Sequence, residues 1–299
     1  MTPLQGFSSD LADLVARAAP AVVGVERRGG QGSGVVLSRD GYVLTNAHVV
    51  EGSGPIQVRL SGTRVTRAER VGIDAQTDLA VLRVDARELP TLPLSERRLR
   101  VGELVLAIGN PLGFERSVTT GVVSALYRSL QPRRGVLLDG LVQTDASINP
   151  GNSGGPLLDA WGQMVGVSTA MLPWARGIGF AVPAHTASWV VTVLIHHGVV
   201  RRPFLGIAAR GEELHAGEAR EAGSGRAVRV LEVVEGSPAR AAGLEPGDLL
   251  VGVAGGPLET LDDLQRAMVL GGPGPLPLAV VRGEDRRDVE ISPAARKAA

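Results

Sequence analysis

From about Val22 to Val182 the apolar positions fall in short β-branched runs: AVVGVE, GSGVVLS, GYVLTN, IQVRL, LAVLRV, LVLAIG, GVVSAL, LVQTD and QMVGVST. Glycine-rich turns separate them. Many strand-length runs at this close spacing predict an all-β barrel or sandwich. Between them, SRDG and DAWGQ have the composition of hairpin turns. The next stretch, PAHTASWVVTVLIHHG, predicts one helix, with Pro183 suited to the first turn and Gly198 to a C-cap. VVRRP is then a linker, and a second unit begins at Phe204.

The second unit has strand signals at 204–209, 227–234, 248–253, 276–282 and 287–292. Two short helices interrupt them. SPARAAG offers Ser237 as N-cap, Pro238 at the first turn and Gly243 as stop; TLDDLQRAMVLGG offers Thr260 as N-cap and Gly271 beyond the end. About five strands with two helices make a small α+β domain, and the terminal PAARKAA reads as frayed. The implied divisions are an N-terminal segment (1–20), a first domain (21–198), a linker (199–203), a second domain (204–292) and a tail (293–299).

A length of 299 residues fits two domains, and 44% hydrophobic with 21% charged residues reads as globular. The 31 basic and 31 acidic side chains cancel, so no overall field recruits nucleic acid or an anionic membrane. The absence of cysteine removes disulfides, thiolate catalysis and cysteine-ligated metal, and leaves the compartment open. The opening MTPLQGFSSDLADLVARAAP lacks the basic and apolar regions of a leader, and no run approaches the ~18 apolar residues of a membrane helix. The cytoplasm is therefore the default. A start codon assigned too far downstream would conceal a leader or anchor and make the protein periplasmic or membrane-anchored.

Candidate chemistry centres on INPGNSGGPLL, where Ser153 stands among glycines with no activating side chain nearby in sequence. The G-x-S-x-G pattern of 151–155 would fit an α/β-hydrolase elbow, but that needs a helix directly after the serine, and PLLDAWGQMVGVST reads as strand, turn, strand. The order His, Asp, Ser suits an all-β domain instead. His48 falls where the GYVLTN run ends, Asp78 just before LAVLRV, and Ser153 follows. Asp74, Asp85 and Asp145 are rival acids. His196 and His197 end a helix without an H-E-x-x-H pattern, so no metal site is expected. GQGSG at 30–34 lacks the lysine of a phosphate loop and reads as strand pairing.

GQGSGVVLSRDGYVLTNAHVV, TDLAVLRV, GNPLGFERSVTTGVVSAL, QTDASINPGNSGGPLLDAWGQMVGVSTAM and GIGFAVP together resemble HtrA/Deg-type serine proteases over most of 32–183. PFLGI and VVEGSPARAAGLEPGDLLVGVAGGPLETLDDLQRAM resemble a PDZ domain, with Gly255 where an asparagine is usual. The resemblance implies a mainly β fold: a chymotrypsin-like double β-barrel followed by a small α+β PDZ domain. It implies a triad of His48, Asp78 and Ser153, with an oxyanion hole from the backbone amides of Gly151, Ser153 and Asn152. Because the base must be neutral, activity is expected to fall as pH drops through roughly 6 to 7. Ile148, Met171 and Ile178 match specificity-pocket positions, and their apolar character favours small or medium aliphatic residues before the cut. Leu205, Gly206 and Ile207 would hold a terminal carboxylate, with Leu264, Ala267 and Met268 as groove wall or domain core.

The implied function is cleavage of unfolded or damaged proteins through an acyl-enzyme, as in protein quality control. It needs no cofactor and is regulated by peptides with apolar C-termini. Relatives assemble as homotrimers through N-terminal aromatics, and this chain has only Phe7 there. The short segment between Glu26 and Gln31 and the single PDZ domain argue against larger cages. The competing function is a chaperone or scaffold with an idle protease domain.

Overall fold

In this computed structural model residues 2–60, 64–95, 97–110, 117–131, 137–149, 151–171 and 177–295 are described. Two units result, Met1–Val200 and Arg201–Ala299. The first opens with the helix α1 (Pro3–Ala18), where the sequence predicts only an N-terminal segment. Its start is capped reciprocally: the Gln5 amide donates to the Thr2 hydroxyl and the Thr2 amide to the Gln5 side chain. Leu4, Phe7, Leu11, Leu14 and Ala18 share one stripe, yet only Leu14 and Ala18 are buried.

After a 3-10 turn at Ala19–Ala21 come β1 (Val22–Arg27), β2 (Gly30–Val36), β3 (Tyr42–Asn46), the single-turn α2 (Ala47–Val50), β4 (Ile56–Arg59), β5 (Val65–Asp74) and β6 (Leu79–Val84). They close as a barrel in the order β1-β2-β3-β6-β5-β4. A second closed barrel, β10-β11-β12-β9-β8-β7, is built from β7 (Leu104–Gly109), β8 (Ser117–Leu130), β9 (Leu138–Thr144), β10 (Pro156–Asp159), β11 (Met164–Met171) and β12 (Gly179–Pro183). Of the two architectures the pattern allowed, closure wins, and it leaves no strand edge open.

The helix α3 (Ala184–His197) lies against β5, β6 and β11. It covers the outer side of β6, which explains why LAVLRV is apolar almost throughout instead of alternating. Pro183 ends β12 and caps the helix from outside its first turn, and Gly198 closes it with φ +73°. The strand β5 is absent from the sequence reading because VTRAERVGID carries few apolar residues.

The second unit contains β13 (Ile207–Glu213), α4 (Ala216–Ala222), β14 (Arg226–Val233), α5 (Pro238–Ala241), β15 (Leu249–Val253), β16 (Gly256–Pro257), α6 (Leu261–Leu270), β17 (Leu276–Arg282) and β18 (Asp285–Ile291). The sheet runs β13-β14-β15-β17-β18, with β16 paired to β15. Its core gathers Leu205, Val228, Leu244, Leu250, Leu264 and Val280, and a smaller cluster around Ala222 and Leu249 seals the other face. The first strand begins at Ile207 and not at 204, because Gly206 adopts φ +85° and interrupts the extended chain. Phe204 instead bridges to Ala294 through two backbone bonds of 2.7 and 3.0 Å. That bridge also corrects the expectation of fraying at Ala294; residues 296–299 lie outside the described residues.

Candidate active site

Strand pairing brings His48 and Asp78 together. Asn46, at the end of β3, pairs with Leu79, at the start of β6, so the residues just past those ends meet. The Asp78 carbonyl accepts from the Ala47 amide (3.0 Å) and from Asn46 Nδ2 (2.9 Å), tying the start of α2 to the turn before β6. Asp78 itself has φ +56°, a conformation that aspartate tolerates better than most residues.

On the Asp78 carboxylate, Oδ1 accepts from the His48 amide at 3.0 Å and Oδ2 lies 2.7 Å from His48 Nδ1. A third donor, the hydroxyl of Thr169 on β11, bonds Oδ2. A carboxylate can only accept, so Nδ1 carries the proton and Nε2 of the neutral ring is left as an acceptor. The Asp78 side chain is 12% exposed and that of His48 43%, which shelters the acid and presents the base. The rival acids are engaged elsewhere or exposed. Asp74 accepts from the Thr77 hydroxyl (2.6 Å), Asp85 is exposed, and Asp145 accepts from the Val122 amide (2.6 Å), tying the serine loop to β8.

The strand β10 follows Ser153, so the helix required by an α/β-hydrolase elbow is absent there. Ser153 occupies a loop of tight turns. The Asn152 amide donates to the Asn149 carbonyl (2.9 Å), the Gly155 amide to the Asn152 carbonyl (2.8 Å) and the Gly154 amide to the Ser168 carbonyl (2.7 Å). Gly154 needs its lack of a side chain twice over: its φ is +84°, and a Cβ would lie 2.2 Å from the Ser33 carbonyl oxygen. The engagement of the Asn152 amide removes it from the expected oxyanion donors in this conformation. The amides of Gly151 and Ser153 meet no acceptor among the described residues. Ser153 Oγ donates to the Thr169 carbonyl at 3.2 Å, and among the described residues no bond joins it to His48.

Sequence reasoning missed Thr169, which contacts both Asp78 and Ser153, and Ser33 on β2, whose amide donates to the Ser153 carbonyl at 2.7 Å. Neither has a local signal beyond lying in a strand-like run. Of the expected pocket residues, Ile148 is buried in the core of the second barrel, where its side chain abuts Gly179, and Ile178 is half-buried. The Met171 backbone ends β11, and its side chain lies outside the described residues. Among the described residues no three potential ligands form a metal cluster, and no helix is long and apolar enough to cross a membrane.

In the second unit, the carbonyls of Leu205 and Gly206 accept from the Ala239 and Val234 amides (2.9 and 2.8 Å). Among the described residues the Leu205 and Gly206 amides have no acceptor. Ile207 opens β13, the outermost strand of the sheet, and α6 lies against that strand. Leu264 and Met268 point into the core and Ala267 packs on it.

A family model described as a trypsin-like peptidase domain matches residues 32–167, and one for a PDZ domain matches 229–282. A putative serine protease HhoB from Synechocystis sp. is 42% identical over 89% of this chain and 67% of its own length. A probable periplasmic serine endoprotease DegP-like from Hahella chejuensis is 41% identical over 89% of this chain and 58% of its length. The chain thus spans between half and two thirds of several such relatives, a Chlamydia trachomatis DegP-like protein being matched over 50% of its length. Among solved structures, the HtrA-type protease AlgW with a tripeptide shares 36% identity at a TM-score of 0.75, over 96% of this chain and 98% of that one. A serine endoprotease from Yersinia pestis shares 36% at a TM-score of 0.66, over 95% and 97%. With two closed barrels, a histidine held by a buried aspartate and a second unit built on a PDZ-like sheet, the chain belongs to the HtrA/DegP family of serine proteases that carry a PDZ domain.

Proposed function

We propose that this chain is a serine endopeptidase that cleaves unfolded or damaged proteins through an acyl-enzyme. The observation that carries the reading is the His48 ring fixed at Nδ1 by Asp78 beside a serine loop with two amides that meet no acceptor among the described residues. His48 Nε2 takes the proton of Ser153 as Oγ bonds to the scissile carbonyl carbon, and Asp78 holds the tautomer and offsets the imidazolium charge. The tetrahedral oxyanion then receives the Gly151 and Ser153 amides. Proton return from Nε2 to the leaving nitrogen lets the C–N bond break. Water then gives a proton to His48 Nε2 as its oxygen bonds to the acyl carbon, and the C–Oγ bond breaks as Nε2 returns that proton to Ser153. No step calls for a cofactor. The specificity pocket is assigned to Ile148, Met171 and Ile178, which suits aliphatic residues before the cut.

Turnover is regulated by peptides with apolar C-termini laid along β13, their carboxylate held by the amides of Leu205, Gly206 and Ile207. A groove there is supported by the open outer edge of β13, and the structural relative AlgW is described with a decapeptide and a tripeptide. Relatives named periplasmic favour that compartment over the cytoplasmic default. The exposed Leu4 and Phe7 on α1 support a homotrimer, which a mass measurement in solution tests.

One observation favours the competing scaffold reading: the Ser153 hydroxyl is turned to Thr169 and not to His48. In the peptidase reading this is the resting position of the nucleophile. The full chain and Ser153→Ala should be given an unfolded protein with and without an apolar-tailed peptide, alongside a fluorophosphonate label. Labelling of the wild type, faster cleavage with peptide and a loss on the order of 10⁶ in the variant are expected. A chain that binds the unfolded protein but neither labels nor cuts is a scaffold.

A further inference from the structure

We propose that Ser33 is a positioning residue for the oxyanion donors, its hydroxyl locking the one peptide plane that lies between them. The proposal rests on the peptidase reading and deepens it. The Gly151 and Ser153 amides belong to peptides 150–151 and 152–153, so their relative aim is set by the intervening peptide 151–152. Both ends of that peptide are held. Its carbonyl, on Gly151, accepts from Ser33 Oγ at 2.5 Å, and its N–H, on Asn152, donates to the Asn149 carbonyl at 2.9 Å.

The Ser33 hydroxyl has its direction dictated. The Asn110 amide, just past the end of β7, donates to Oγ at 2.8 Å, so the single hydroxyl proton is free to go to Gly151. The same residue grips the loop a second time, its amide donating to the Ser153 carbonyl at 2.7 Å, while the Thr45 hydroxyl holds the Ser33 carbonyl at 2.7 Å. Ser33 is fully buried, so no solvent stands ready to replace the hydroxyl. The preceding Gly32 permits the approach, since a Cβ there would lie 2.7 Å from the Ser153 carbonyl oxygen and 2.7 Å from the Val49 side chain. Gly151, at φ +110°, sits where a glycine rotates at little cost, and the loop therefore depends on an external tether to stay in register. The GQGSG run is thus a clamp from the first barrel onto the serine loop of the second.

The test compares the full chain with Ser33→Ala and Ser33→Cys, the latter keeping the volume with a weaker donor. Steady-state cleavage is measured, together with affinity for a peptide boronic acid, whose tetrahedral serine adduct needs the oxyanion donors, and for an uncleaved product peptide, which does not. Ser33→Ala is expected to lower kcat by on the order of 10², the usual cost of one oxyanion donor, with KM within about two-fold. Boronate affinity should fall in step and product affinity hold, with Ser33→Cys in between. Folded variants with kcat within about two-fold of wild type overturn the proposal. So does a loss shared equally by the product peptide, or a fold lost in both variants, which would make Ser33 a stability residue. A wild type that neither cuts nor labels ends the peptidase reading itself.

Discussion

Thr169 touches two of the three proposed triad members through different atoms, its hydroxyl reaching Asp78 and its carbonyl receiving Ser153. Substitution separates the two roles, because the carbonyl survives any side-chain change. A hydrogen bond to a charged group contributes about 1.5–3 kcal/mol, and the part felt only when His48 becomes cationic lowers the barrier. Thr169→Val should therefore lower kcat by about 10-fold with KM nearly constant, whereas Thr169→Ser, which keeps the hydroxyl, should stay within about two-fold. An unchanged kcat in a folded valine variant would remove Thr169 from the site.

Among the elements, β15 and β17 meet over a buried carboxylate whose charge the second unit needs. Burial alone would push the Asp248 carboxyl up, but the paired donors of Arg282, the Glu245 amide and the nearby Arg287 charge outweigh it and hold the group below the ordinary carboxylate range. A depressed folded value stabilises above the unfolded carboxyl value of about 3.9, and that stability is lost as pH falls through the folded one. Hydrogen exchange in residues 226–291 should be flat from pH 7 to about 5 after correction for intrinsic rates, with protection dropping below about 4. Asp248→Asn, which keeps the volume but loses the charged acceptor, should lower protection by about 2 kcal/mol at pH 7 and blunt the acid loss; an acid profile identical to wild type would refute it. The buried elements were the legible ones: LAVLRV and LVLAIG announce strands because both their faces are covered. The strand β5, carrying arginine and glutamate on its open side, gave no such pattern, and α1 was overlooked although T-P-L-Q spells its cap. In the site, His48 and Asp78 are singled out by chain order and by the resemblance of their flanking runs, since the rival Asp74, Asp85 and Asp145 also lie at or beside strand ends. The partners Thr169 and Ser33 are not, since their contacts span 91 and 118 residues and depend on barrel closure.

At the scale of the whole molecule, the chain labels one of its two units. All three tryptophans, Trp161, Trp174 and Trp189, fall in Met1–Val200, and none lies in Arg201–Ala299. Tryptophan fluorescence therefore follows the barrels alone, while far-UV circular dichroism follows both units. The second unit has its own core, built from residues 205 to 291, so it is expected to unfold as an independent cooperative body. Heating should give two circular dichroism steps, of which fluorescence sees one. A peptide with an apolar C-terminus at 100 times its Kd adds about 2.7 kcal/mol to the state that binds it. For a unit of about 100 residues that is a rise of roughly 10 °C or more, confined to the step invisible to fluorescence. Coincident curves would mean that the chain unfolds as one body, and a shift in the fluorescence step alone would move the peptide site from β13 to the barrels.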